Sequence, residues 1–204
     1  MPPSATAVAA TKSRIHEAAI SLFTKKGFHG TGIREIADRA GVSVGNLYNH
    51  HRNKQELFAA IMADFEAAYT ALDTPLARAF TGFRSFDDLE AVGAASREMV
   101  GRFSDYIRLI YVDVVELGGE HIRRLFGGMR DRYEATFGDR LAELERAGGA
   151  TEGKGVPALM TATILFFYLF NVEHLFGVPK LLGVPDDEAI RLISGIVRKG
   201  VEPR

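Results

Sequence analysis

IREIADRAGVSVGNLY, residues 33–48, decides the fold, because its apolar residues and Gly41 fall where a helix-turn-helix needs them. Ile33, Ile36, Ala37 and Ala40 recur at i, i+3, i+4 and i+7, one face of a helix. Gly41 ends that helix where a left-handed backbone costs least, and Val42 follows as the apolar residue that pins the turn. Ser43 is placed to cap a second short helix. In it, Val44, Leu47 and Tyr48 pack back on the first helix while Gly45, Asn46 and Asn49 look outward. The small Ala37 lets the two helices cross closely and presents the second at the surface, sized for a major groove.

Outward from this core, Ser13 to Met62 resembles the TetR family of bacterial one-component repressors. The resemblance rests on an apolar first helix ending in Gly27-Phe28, a threonine cap at Thr31, the two-helix reader, and the closing run LYNHHRNKQEL. Asn53 with Glu56 three residues on also makes a capping box in its own right. The resemblance implies that Thr31, Ser43, Tyr48, His50 and Lys54 hold phosphates, and that Val44, Gly45 and Asn46 read base edges. Helical geometry adds Arg34 and Asn49 to the readers. The chain departs from its relatives in two places, with Val44 where many carry lysine and His51 where many carry phenylalanine or tyrosine. Val44 suits a thymine methyl. His51 suits a half-buried, hydrogen-bonded neutral imidazole, or a pH-sensitive one.

The composition fits a cytoplasmic protein. At 204 residues the chain is long enough for one or two domains with a full core. The absence of cysteine removes disulfides, thiolate catalysis and cysteine metal sites together. The opening MPPSATAVAA lacks the basic and sustained apolar regions of a signal peptide and reads as a disordered arm over residues 1–10. The net charge of −1 looks wrong for a DNA binder until it is divided. Residues 11–60 hold eight Lys or Arg against four acids, and the remainder 17 against 22. One basic end is what attraction to a polyanion requires.

Beyond residue 56 the chain reads as helices without strand alternation or repeats. The expected spans are Asn53 to about Leu72, broken near Thr74-Pro75; Ser85 to Gly101; Ser104 to Leu117; Gly119 to Ala147; Val156 to Phe176; and Asp186 to Gly200. A flexible break, GGATEGKG, precedes the last pair. The expected fold is therefore all-α, with a helix-turn-helix domain over 11–56 and a helical effector-binding and dimerisation domain over 57–204.

ALMTATILFFYLF, residues 158–170, is apolar on every side and on its own too short for a membrane span. A helix apolar all round must be covered all round, and a second copy of the chain is the natural cover for its outer face. The stripe Ile190, Ile193, Ile196 and Val197 on the last helix would join it. This resembles the family's four-helix dimer interface and gives a homodimer through residues 156–176 and 186–200. Phe167, Asn171 and His174 share a helical stripe that either lines an effector cavity or belongs to core and interface. Phe65, Tyr69, Phe103, Tyr106 and Tyr111 are further candidates for a lipophilic or aromatic effector, with core packing as the competing role.

Catalytic readings fail. Gly41-Val42-Ser43-Val44-Gly45 matches GxSxG, but a nucleophile elbow needs a strand before the serine and this run is helical. His50 and His51 point about 100° apart on a helix and do not share a metal readily. Glu116, Glu120 and His121 read as a solvated face interrupted by Gly118-Gly119. The sequence thus predicts a dimeric, ligand-responsive repressor of a palindromic double-stranded operator, with no catalysis, cofactor or metal. The alternative is a small-molecule-binding or scaffolding protein of the same fold without functional DNA binding.

Overall fold

The computed structural model describes residues 4–203, which form eleven α-helices and one short 3-10 turn, with no strand among them. They fall into two compact units, residues 4–68 with 105–124 and residues 69–104 with 125–203. The expected boundary after residue 56 is thus displaced. The fourth helix, α4 (Lys54–Tyr69), lies in the first unit up to residue 68, and α7 (Ser104–Glu116) and the start of α8 (Glu120–Gly127) join it there.

The first unit is built on α1 (Ala5–Lys26), α2 (Ile33–Ala40), α3 (Val44–His50) and α4. Phe23, Phe28 and Phe58 meet with ring centroids 5.5–5.6 Å apart, mostly edge to face, and Ile15, Ile36, Ala37, Leu47, Leu57 and Ile61 close the core around them. The disordered arm is not what residues 5–10 form. They are the first turns of α1, started by Ser4, whose hydroxyl oxygen accepts the Ala7 N–H at 3.2 Å, and carried by alanine's high helix propensity. The part of that arm over residues 1–3 lies outside the described residues.

In the second unit α6 (Leu89–Arg102) and α10 (Gly155–Leu175) pack together, with α5 (Pro75–Gly82) on α6, α9 (Met129–Arg146) on α10, and α11 (Asp186–Val201) on both. Gly93 marks the crossing, because a Cβ there would lie 2.7 Å from Ile190 and 3.0 Å from Phe166. Two features escaped the sequence. Thr74-Pro75, read only as a break, starts α5, with the Thr74 hydroxyl capping Ala77 and proline at the first position. The single helix expected over 119–147 is two, α8 and α9, parted at Gly127-Gly128.

By length and composition α10 is apolar enough to cross a membrane, although the sequence judged its apolar run too short. More than half of it is buried within the unit. Ile164, Leu165 and Tyr168 remain 43–59% exposed on its outer side. The stripe expected on α11 divides, since Ile190, Ile193 and Val197 are buried within the unit, while Ile196 stays 62% exposed beside Leu192.

Candidate nucleic-acid interface

The turn between α2 and α3 is fixed by backbone hydrogen bonds. Gly41 sits at φ 65°, ψ 40°, its N–H donating to Asp38 and the Val42 N–H to Ala37, which satisfies the last carbonyls of α2. Ser43 then caps α3 by accepting the Asn46 N–H at 3.1 Å. The serine of the GxSxG pattern is therefore a helix cap preceded by helix, which excludes a nucleophile elbow. With Leu47 buried against α2, α3 turns its other side outward. Ser43, Gly45, Asn46, Tyr48 and Asn49 are exposed, as is Arg34 on α2, while Val44 and His50 are half-buried. A Cβ on Gly45 would meet nothing within 4 Å, so whatever the missing side chain admits comes from outside the protein.

Two residues expected at phosphates are turned inward. Thr31 is buried and donates its hydroxyl to the Gly27 carbonyl at 2.8 Å, and the cap position of α2 is Gly32. The cause is local, because the chain leaving α1 doubles back and its carbonyls need donors. Lys54 serves the same turn. Its ammonium donates to the carbonyls of Phe28 at 2.6 Å and Thr31 at 2.8 Å and stands 4.4 Å over the Phe28 ring. Burial draws this ammonium below its ordinary lysine value, partly offset by the Glu116 carboxylate.

Glu116 was missed as a site residue. Instead of a solvated face, its carboxylate accepts the His29 N–H at 2.7 Å and occupies the place of a side chain at Gly27, whose φ of 77° also demands glycine. Asp113, one turn earlier and fully buried, accepts from His121 Nδ1 at 2.7 Å and the Ile122 N–H at 3.1 Å. The His121 ring lies edge-on to Phe58. No sequence pattern joins residues 27–31, 54 and 113–121. They meet only because α7 packs in the same unit as the reader.

His51, expected half-buried and hydrogen-bonded, is buried at 4% exposure, and its partner is another histidine. The two Nε2 atoms of His16 and His51 are 3.1 Å apart, and His16 Nδ1 lies 3.1 Å from Asp64. Burial is the largest cause lowering both imidazoles. It takes His16 to about 4 against the pull of Asp64, with His51 and Lys12 adding to the fall, and it lowers His51 with Lys12 next.

The eight effector candidates do not form one cluster. In the first unit Phe65 stacks on Tyr106 at 5.3 Å and 11°, and Tyr111 is 40% exposed. In the second, Tyr69 meets Phe103 and Phe167 edge-on at 5.6 and 6.4 Å, and burial pushes the Tyr69 hydroxyl up. Asn171, one turn beyond Phe167, is buried with its amide oxygen unpaired, whereas His174 is exposed.

The profile of bacterial regulatory proteins of the tetR family matches residues 15–61. The chain is 23% identical over 197 residues to the uncharacterized HTH-type transcriptional regulator YvkB of Bacillus subtilis, covering 94% of this chain and 97% of that one. Over 45 residues it is 49% identical to the HTH-type transcriptional activator FasR of Mycolicibacterium smegmatis, 22% of this chain and 20% of that one. Among solved structures it is similar to AibR in complex with isovaleryl coenzyme A and operator DNA, with TM-score 0.64, 19% identity, and coverage of 91% and 97% of the two chains.

Proposed function

This chain belongs to the TetR family of bacterial regulatory proteins, and on that premise we propose that it is a dimeric repressor that binds a palindromic operator and is released by a lipophilic or aromatic effector. One observation carries the DNA-binding part. A rigidly capped helix, α3, holds Ser43, Gly45, Asn46, Tyr48 and Asn49 outward together, and Arg34 stands exposed at the start of α2. Ser43, Tyr48 and His50 would fix the protein on phosphates, and Val44, Gly45, Asn46, Asn49 and Arg34 would meet base edges. Thr31 and Lys54 would act at one remove, by shaping the turn that presents α2.

A two-fold axis doubles the contacted bases at a fixed spacing, which gives so short a reader its specificity. The exposed Ile164, Leu165 and Tyr168 of α10 with Leu192 and Ile196 of α11 are the surface we assign to the second copy. The Tyr69–Phe103–Phe167 group is the apolar part of the effector site. Asn171 would supply its acceptor, an oxygen whose burial without a partner costs about 1–3 kcal/mol until a ligand donor reaches it. The AibR complex with an acyl coenzyme A and operator DNA supports pairing these two ligand classes on one such fold.

The test is titration of a palindromic fragment from upstream of the gene against scrambled DNA over a salt series. The reading requires nanomolar binding near 150 mM salt, roughly a thousandfold or more tighter than to scrambled DNA, at two protomers per site. Equal affinity for both would favour a protein of this fold that does not regulate through DNA.

A further inference from the structure

His16 and His51 are both buried residues, 8% and 4% exposed, and their imidazoles join α1 to the residue that closes α3. His51 caps α3 with its own N–H, donated to Leu47 at 3.0 Å, so its side chain and backbone act on the same end of that helix. The proton positions follow from Asp64. A carboxylate accepts, so His16 Nδ1 carries a hydrogen, His16 Nε2 offers its lone pair, and His51 Nε2 donates to it. Each ring then holds one proton. A further proton on His51 Nδ1 puts an imidazolium in the core. Another on His16 Nε2 sets two N–H groups head to head across 3.1 Å.

We propose that protons are a second input to this regulator: uptake by the His16–His51 pair below neutral pH loosens α1 from the end of α3 and weakens operator binding. The inference rests on the reading of α3 as the DNA reader. The groups facing the pair are Lys12 from α1, His50 from α3, and Glu56 and Asp64 from α4; Tyr106 of α7 in turn faces Asp64. Lys12 and His50 oppose uptake, while Asp64 and Glu56 favour it from positions about half open to solvent, where water screens them. Burial therefore dominates.

The sign follows. A loosened pair protonates near the ordinary value of 6.5, the packed His16 only near 4, so between those values the loosened form binds more protons and acid favours it. Stability from the pair is complete above 6.5 and is lost as pH falls through that window. Positive charge gained at the protein surface in acid acts oppositely, since it attracts phosphate. A fall in affinity with acid therefore distinguishes the buried pair from the surface.

The experiment is fluorescence anisotropy of the labelled palindromic fragment at pH 7.5, 6.5 and 5.5 and constant ionic strength. It compares the full chain with His51→Phe, which fills the site without titrating, and with His51→Gln, which keeps a donor toward His16. The wild type is expected to lose about tenfold or more in affinity from pH 7.5 to 5.5, since one shifted group is worth up to tenfold per pH unit. At least one variant should stay level or bind more tightly in acid. A level wild type, or the same fall in both variants, overturns the role of the pair while leaving DNA recognition intact. No specific binding at pH 7.5 overturns the DNA-reading function itself, and this inference with it.

Discussion

Gly41, Lys54 and Asn171 show how single residues set the proposed reader and the proposed effector site. At Gly41 the backbone sits at φ 65°, and the nearest atom to an added Cβ is the Arg14 guanidinium at 3.7 Å, so alanine fits in space but not in conformation. Gly41→Ala should destabilise the chain by about 1–2 kcal/mol in urea unfolding, the cost of a left-handed alanine. For Lys54 the structure changes the expected effect from electrostatic to architectural. Its ammonium satisfies two carbonyls, so Lys54→Met, which keeps the apolar stem, should lower stability by about 1–3 kcal/mol and shift the thermal midpoint as well as DNA affinity. An unchanged midpoint would place the ammonium on phosphate instead. Asn171→Leu removes the buried unpaired oxygen and should leave stability level or raised, since the side chain contributes an unmet acceptor. Loss of more than about 1 kcal/mol would show that the oxygen is already satisfied.

At the scale of elements, the helix-turn-helix was legible because its information is local: a four-residue apolar spacing, one glycine and one serine cap fix α2, the turn and α3. The start of α4 was legible through Asn53, which accepts the Glu56 N–H at 2.7 Å. What was not legible depends on packing between distant segments. Thr31 and Lys54 look like surface polar residues until the α1–α2 turn is seen to need donors, and Glu116 looks solvated until α7 brings it to that turn. Residues 5–10 were misread as an arm because only the regions of a signal peptide were sought there, and the alanines that extend α1 behind the Ser4 cap were passed over. On α11 a helical stripe was correctly apolar but its partner was not readable: three members face their own unit and only Ile196 remains outside. Ile196→Glu, and independently Tyr168→Glu on α10, should convert the proposed dimer to monomers in sedimentation at micromolar concentration while helical content is kept. A dimer surviving both changes would move the interface elsewhere.

At the scale of the whole molecule, charge is divided unevenly along the chain. Residues 11–60 carry the positive excess and the remainder the negative one, so the segment that holds α3 carries the charge the proposed DNA binding needs. Of the outward apolar residues, Ile164, Leu165, Tyr168, Leu192 and Ile196 lie on α10 and α11 in the unit without the reader, while Tyr111, Val114 and Val115 of α7 lie in the unit that holds it. A molecule so divided suits a regulator in which one unit reads DNA and the other assembles and senses. The central claim is that α3 reads sequence as one of a symmetric pair, and the most direct test is selection from a randomised palindrome by the wild type and by Asn46→Ala. The expected result is two inverted half-sites for the wild type, with Asn46→Ala losing preference at one position in each half and about 1–3 kcal/mol of discrimination there. Uniform weakening at every position, or a single unrepeated half-site, would contradict it.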